Sequence, residues 1–361
     1  MAVADAAAST RPALSPQWIA RGVVWLAIGW LILLMPLQVG DFQSLRLSLG
    51  VIYAIVGLSM NVLIGYAGQI SLGHQGFLGV GAFTSAYVVT VQGQPFVVGL
   101  LAGALTGAVA SMVMGVVALR VRGLYLALVT LAYGRMAQES LFNISLFGSG
   151  AGIEAPRPDG FTSDRAYYYL CLVVLAVVVF LDWRMSRTKA GRAINAVREN
   201  EQVAASYGIP VAQFKLLAFV VAGAFVGLAG ALFAHRVTRV VGNDFEFNLA
   251  LLFVIIAVVG GIRSRVGVVI GGAFFALFPE YLVELFHLLE RNFSWFPHVL
   301  GERGPEISGI IGVLLLIVTL IQYPGGIGQQ LRPITRWLGG KPFTMHGGDE
   351  GFVEEGVRGR P

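Results

Sequence analysis

Four sets of polar residues interrupt this otherwise apolar chain, and each set suits a different kind of work. Gln69, Ser71, His74 and Gln75 stand inside the glycine-rich stretch GYAGQISLGHQGFLGVGAF, Gly65 to Phe83. Polar side chains at membrane depth are costly in hydrocarbon, and glycine weakens a helix while exposing its backbone. Non-helical backbone is tolerated there only under protein or beside a water-filled cavity. The stretch therefore reads either as a broken or re-entrant helix beside a translocation path, or as a polar contact between helices near a loop. His74 taken singly reads as a hydrogen-bonded packing histidine. Arg135 and Glu139 are four residues apart in LYLALVTLAYGRMAQESLF and can pair on one helical face, as a structural pair or as a substrate site. Glu280, Glu284 and His287 share a face after Pro279, a residue that kinks helices, and suit a vestibule or a solvated helix end.

The fourth set is the long polar interruption from Asp182 to Phe214, DWRMSRTKAGRAINAVRENEQVAASYGIPVAQF. Thr188 can cap a helix over Ala190 to Arg198, and Asn200 can cap a second over Glu201 to Tyr207. Gly208 followed by Pro210 is a stop signal before the next apolar run. Val203 and Tyr207, four apart, give the second helix a short apolar face. A helix this short is marginal alone in water, so it docks on a partner or, given the basic residues from Arg184 to Arg198, on the lipid surface.

No bond-making chemistry is written into the chain. It has no G-x-x-x-x-G-K-[ST], and none of its lysines, Lys189, Lys215 and Lys341, follows a phosphate-binding loop. HExxH and CxxC are missing as well, and Cys171 lies within an apolar run as packing or lipid-facing filler. No cofactor is expected. Such a protein moves something, with the energy supplied by another chain or by an ion gradient.

The elements that must hold these residues are membrane helices. Of 361 residues 56% are hydrophobic and only 12% charged, about half the charge of a typical soluble domain. Mean hydropathy is +0.74. Apolar windows of bilayer-spanning length number about ten. They run approximately Gly22–Gln38, Leu45–Ile64, Ile70–Val91, Phe96–Leu119, Leu124–Phe142, Ala166–Leu181, Phe214–His235, Asn248–Ile262, Val266–Leu288 and Ile307–Gln322. Residues 1–21 form an uncleaved tail, 22–322 the membrane domain with its 182–214 loop, and 323–361 a second tail. The net charge of +5 gathers at the ends of apolar runs, which reads as topology and not as a nucleic-acid footprint. Placing the 182–214 loop in the cytoplasm also puts Arg120, Arg122, Arg263, Arg265 and both termini there, and leaves Arg46, Arg157, Arg165, Arg236 and Arg239 outside. Gly99, Gly103 and Gly107, Gly223 and Gly227, and Gly267 and Gly271 repeat at intervals of four, the spacing that lets helices approach closely in lipid.

Against this background RTKAGRAINAVRENEQVAASYGIPVAQFKLLAFVVAGAFVGLAGALFA resembles the coupling-loop region of permease subunits in bacterial branched-chain amino acid ABC importers, with Gly208 at the family's loop glycine. LSMNVLIGYAGQISLGHQGFLGVGAFTSAY and VRGLYLALVTLAYGRM resemble two further stretches of the M-type permease, and the likeness runs from Leu45 to Gly328. The resemblance implies an all-α polytopic membrane protein of the type II importer fold in the bacterial inner membrane. Its implied partners are a second homologous permease, two cytoplasmic P-loop ATPases, a periplasmic substrate-binding protein and the lipid bilayer, with no nucleic acid. By the same resemblance Glu199, Asn200, Glu201, Ala204, Ala205 and Gly208 would contact an ATPase, and Gln69, Ser71, His74 and Gln75 would lie near the pathway. The sequence departs from the family at Val268, where proline is expected, and in the external loop GSGAGIEAPRPDGFTSD. Related permeases serve urea, short amides and other small acids. The rival class is an ion-coupled secondary transporter, in which Arg135, Glu139, Glu280 or Glu284 would handle the ion.

Overall fold

Within hydrocarbon each backbone N–H and C=O must find its partner inside the segment, so apolar runs of this length become helices. A computed structural model describes residues 16–38, 41–121, 123–292 and 325–338, with part of 307–322. The described apolar runs are helical: α1 (Pro16–Gln38), α2 (Asp41–Met60), α3 (His74–Thr90), α4 (Phe96–Ala118), α5 (Leu124–Glu139) and α6 (Asp164–Arg187). Two short helices follow, α7 (Lys189–Glu199) and α8 (Glu201–Ser206). Then come α9 (Val211–Val237), α10 (Phe247–Gly260), α11 (Arg265–Asn292) and α12 (Gly326–Leu338). Beyond Met60 the second helix continues as a π-helical segment, Asn61–Tyr66.

Among the described residues six helical stretches are long and apolar enough to cross a membrane: Gln43–Tyr66, Phe96–Ala118, Asp164–Arg187, Val211–Val237, Gly242–Gly260 and Arg265–Leu289. The protein is therefore a multi-pass membrane protein. α3 and α5, at 17 and 16 residues, fall short of that length, and the expected last span, Ile307–Gln322, lies largely outside the described residues. The expectation of about ten spans thus meets six such stretches among the described residues.

Two expected boundaries move, each for a local reason. The third run was expected to be helical from Ile70, but α3 begins only at His74, because Ala67 to Gly73 is non-helical. The polar loop was expected to open at Asp182, whereas α6 continues to Arg187. Asp182 is fully buried, and there its Oδ2 accepts from partners on other elements, Tyr66 and Arg265.

The chain forms two compact units, residues 1–40 with 330–361, and residues 41–329. In the first, the Arg21 guanidinium lies 5.6 Å from the Trp337 ring centroid. The second is the helical bundle. At its centre runs the α2 stretch with the π segment, 94% of whose apolar window is buried, against α6, α9 and α11.

Glycine sets the closest packing. Gly103 and Gly107 of α4 face Gly223 and Gly227 of α9 so tightly that a Cβ at Gly227 would run into the Gly103 carbonyl oxygen, and one at Gly223 into that of Gly107. α3 joins the seam through Gly81, whose added Cβ would meet the Gly227 backbone. Close backbone approach supplies the dispersion contacts that hold helices together where burial from water gives no driving force. Ser111 Oγ donates to the Phe219 carbonyl at 2.7 Å, which ties α4 to α9. The opposite face of α4 exposes Val97, Leu101, Leu105, Val109 and Val113, as a lipid-facing surface requires.

At 27 residues, α9 is about 40 Å long at 1.5 Å per residue, and it separates two polar ends of the bundle. At its C-terminal end Ile153–Glu154 pairs antiparallel with Arg239–Val240. Arg157 binds Asp164 at 2.6 Å nearby. Arg236 Nε donates to the Leu45 carbonyl at 3.2 Å, and Arg46 bridges Glu280 (2.9 Å) and Glu284 (2.6 Å) of α11. At the N-terminal end of α9 stand α7, α8 and the α10–α11 turn with Arg263 and Arg265. The two groups of arginines that the sequence separates thus occupy opposite ends.

Candidate functional site

The α7–α8 segment is built by local hydrogen bonds. The Thr188 hydroxyl accepts from the Gly191 N–H at 3.2 Å and caps α7. Asn200 both ends α7 and caps α8, its Oδ1 accepting from Gln202 and Val203 N–H at 3.0 and 3.1 Å. These side-chain acceptors satisfy backbone donors that a helix N-terminus leaves open. α8 closes in a Schellman arrangement: Gly208 N–H donates to Ala205 O (2.9 Å) and Ile209 N–H to Ala204 O (3.1 Å). Gly208 has φ +79°, the left-handed conformation that favours glycine, and the space where its side chain would stand is open.

The segment has an inner and an outer face. Ala204 is buried, and Glu201 forms an ion pair with Lys215 of α9. Val203 is 50% and Tyr207 81% exposed, so the two apolar side chains anticipated on one face point away from the bundle. Ala205 and Gly208 are exposed beside them. Of the six predicted loop residues, Ala205 and Gly208 are left on the surface, Glu199, Asn200 and Glu201 hold the segment in place, and Ala204 packs inward.

Beneath the segment lies a polar node that sequence reasoning missed. The last carbonyls of a helix lack intrahelical donors and carry the negative end of its dipole. At the end of the π segment the Val62 and Leu63 carbonyls accept from Ala67 and Gln69 N–H. The Gly65 carbonyl accepts instead from Arg198 Nη1 of α7 (2.5 Å) and from Arg263 Nε of the α10–α11 turn (3.3 Å). Arg263 also pairs with Glu199, and that guanidinium holds the Glu199 carboxyl below the usual carboxylate range. Its own N–H donates to Asn61 Oδ1 at 2.8 Å, which fixes Arg263 at φ +72°. A non-glycine residue held there stores on the order of 1 kcal/mol or more. Next to it, Asp182 accepts from the Tyr66 hydroxyl at 3.0 Å and from Arg265, which also donates to Ser186. Four elements, the π segment, α6, α7 and the α10–α11 turn, thus meet on two acceptors. The available signal was the pairing of the lone acidic residue Asp182 with the RSR triplet Arg263–Arg265.

Of the second predicted set, Gln69 and Ser71 lie in the non-helical stretch and His74 and Gln75 open α3; all four are buried. Protein covers that stretch. Leu72 N–H donates to Thr130 Oγ1 of α5 at 2.9 Å, and a Cβ at Gly68 would touch the Arg198 side chain. His74 Nδ1 and Ser71 Oγ are 3.2 Å apart, consistent with a packing histidine. Gln75 departs from the others and lines a cavity with Leu131, Arg135, Gln138 and Phe247. Arg135 and Glu139 pair at 2.7 Å as their spacing predicts.

Comparison with known proteins fits this architecture. Residues 44–320 match the family model "Branched-chain amino acid transport system / permease component". The "High-affinity branched-chain amino acid transport system permease protein LivM" of Escherichia coli (strain K12) is 31% identical over 337 residues, 85% of this chain and 74% of that protein. The protein of the same name from Salmonella typhimurium is 29% identical over 351 residues, covering 89% of this chain and 78% of its own. The "L-arabinose ABC transporter permease protein AraH" of Azospirillum brasilense is 27% identical over 275 residues, 70% of this chain and 79% of that protein. A match that takes in α2 through α11, node and loop included, makes this chain a member of the branched-chain amino acid transport system permease family.

Proposed function

We propose that this chain is the permease subunit of an ABC importer for branched-chain or related small amino acids, hydrolysing nothing itself. It pairs with a second homologous permease across the translocation path. Of two cytoplasmic P-loop ATPases, one docks on α7–α8 of this chain, and a periplasmic binding protein delivers the amino acid at the opposite end. In this reading residues 22–322 are the membrane domain of an inner-membrane protein, with about ten spans and with residues 1–21 and 323–361 cytoplasmic. The non-helical residues 67–73 break or re-enter the membrane beside the path.

One observation carries the reading. α8 turns Val203, Ala205 and Tyr207 outward while Arg198 and Glu199, just before it, grip the π segment and the α10–α11 turn. An apolar surface presented by a segment so anchored suits a partner that pushes on it. Closure of the ATPases would move α7–α8 with its attached node and bias the bundle between two states, the loaded binding protein biasing it from the other end.

The test is a mild-detergent pull-down of the tagged chain, followed by uptake measurements. A second permease and P-loop ATPases are expected to co-purify. Gly208→Arg should abolish ATPase recovery or cut ATP-driven uptake at least tenfold while inserting normally. Position 208 opens onto empty space, so the internal cost is confined to the left-handed backbone, about 1 kcal/mol. Normal uptake by that variant would refute the docking surface. Recovery of the chain alone, active in proteoliposomes without ATP, would favour an ion-coupled transporter.

A further inference from the structure

We propose that the cavity between α3, α5 and the start of α10 is a transient binding site for the transported amino acid. Arg135 would take the α-carboxylate, Gln75 and Glu139 the ammonium group, and Leu131 and Phe247 the apolar side chain. The proposal rests on the importer reading above and deepens it by assigning residues of this chain to the cargo.

The cavity is a half-open pocket of about 380 Å³, within the roughly 300–1,000 Å³ of small-molecule sites, mostly apolar and bordered by Gln75, Arg135 and Gln138. Gln75 is the telling residue. It is 1% exposed, its amide nitrogen packs where a side chain on Gly134 would stand, and its Oε1 has no hydrogen-bond partner. A buried amide oxygen without a donor loses about 1–3 kcal/mol, so it persists where something supplies the donor. Rotation of the amide toward the cavity would offer this oxygen to an ammonium group passing through it.

Arg135 supplies the opposite charge. Its Nη1 donates to Gln138 Oε1 at 3.2 Å, and its Nη2 lies 2.7 Å from Glu139 Oε1. These contacts occupy two of a guanidinium's five donors and hold the fork in place. Its side chain is 60% exposed and stands about 17 Å along α5 from Leu124. An exposed charge one turn from the C-terminal end of α5 is met by water, lipid headgroups or protein, not by hydrocarbon. A guanidinium fork binds a carboxylate through two parallel hydrogen bonds, and the Glu139 carboxylate beside it attracts the ammonium of the same zwitterion. Leu131, one helical turn before Arg135, and Phe247 complete a surface with a charged end and an apolar end.

The experiment uses the whole importer in proteoliposomes: this chain, its partner permease, the ATPases and loaded binding protein at saturation. Uptake of radiolabelled leucine and valine is measured together with ATP hydrolysis. Arg135→Gln is expected to lower leucine uptake at least tenfold while assembly and binding-protein-stimulated hydrolysis stay within twofold, and Arg135→Lys should recover part of the loss. Gln75→Met, which removes the unpartnered oxygen at nearly constant volume, should lower uptake threefold to tenfold. Leu131→Trp narrows the apolar end and should shift the leucine-to-valine ratio toward valine, an outcome that a purely structural role would not produce. Leucine uptake by Arg135→Gln within twofold of the parent overturns the site. So does a parallel loss of assembly and hydrolysis that Arg135→Lys does not relieve. If the unmodified complex moves no amino acid with ATP, the importer reading itself fails and takes the site with it.

Discussion

The α4–α9 seam and the polar node under α7 are both close contacts between helices, yet they are made in opposite ways. At the seam backbone meets backbone through glycines, with no charge and one side-chain hydrogen bond from Ser111. At the node, arginines from two elements converge on the Gly65 carbonyl, and Tyr66 and Arg265 converge on the Asp182 carboxylate. A packed glycine seam has one good geometry and resists sliding. A guanidinium that shares an acceptor can exchange it for another at small cost. The bundle thus has a stiff part that moves as a body and, where the loop attaches, a polar part suited to two arrangements.

The comparison breaks most readily at the seam. Gly107→Leu places a branched side chain where even a Cβ would overlap the Gly223 carbonyl and the Gly227 backbone. Overpacking a core costs about 1–3 kcal/mol and more where backbone must part. We expect loss of monodisperse protein in detergent by size exclusion, with Gly107→Ala intermediate. A Gly107→Leu variant that melts with the parent would show that the seam is not the stiff element.

The node should respond more mildly and in a way that can be reversed. Asp182→Ala removes the acceptor of Tyr66 and leaves Arg265, whose side chain is 31% exposed, with Ser186. Breaking a fully buried pair costs about 3–5 kcal/mol, and the exposure of Arg265 lowers that to about 2 kcal/mol. Thermal denaturation should register the loss, and the double variant Asp182→Ala/Arg265→Ala should recover part of it. Additive effects of the two substitutions would mean that the pair does not act as a unit.

The seam was legible in the sequence and the node was not. Gly103, Gly107, Gly223 and Gly227 announce themselves by a four-residue interval, because helix geometry alone puts them on one face. Thr188, Asn200 and Gly208 are equally readable, since capping and left-handed turns are local chemistry. Asp182, Arg198 and Arg263 look like ordinary charges at the ends of apolar runs. Their partners lie between 64 and 202 residues away along the chain, and nothing local marks the Gly65 carbonyl as their meeting point. Gln75 was singled out for its polarity, but only the fold separates it from Gln69, Ser71 and His74 by giving it a cavity.

The smallest effect sharpens the comparison furthest, because it touches the node without loosening the bundle. Glu199 is exposed, and Arg263 depresses its pKa. A carboxyl depressed in the folded protein contributes above its unfolded pKa, about 4.3, and the contribution is lost as pH falls through the lower folded value. From neutral pH down to about 5 the link between α7 and the α10–α11 turn should therefore hold. As pH falls further, through the depressed folded value, it should release, while Arg198 keeps its bond to Gly65. Hydrogen exchange at residues 198–201, corrected for intrinsic rates, should quicken across that window in the parent. In Glu199→Gln it should be slightly faster at neutral pH and lack the added acid dependence. The melting temperature of Glu199→Gln at neutral pH should match that of the parent, since an exposed pair adds little to global stability. A melting temperature that fell with Glu199→Gln would place the link among the contacts that hold the bundle together, and the node would then be as stiff as the seam.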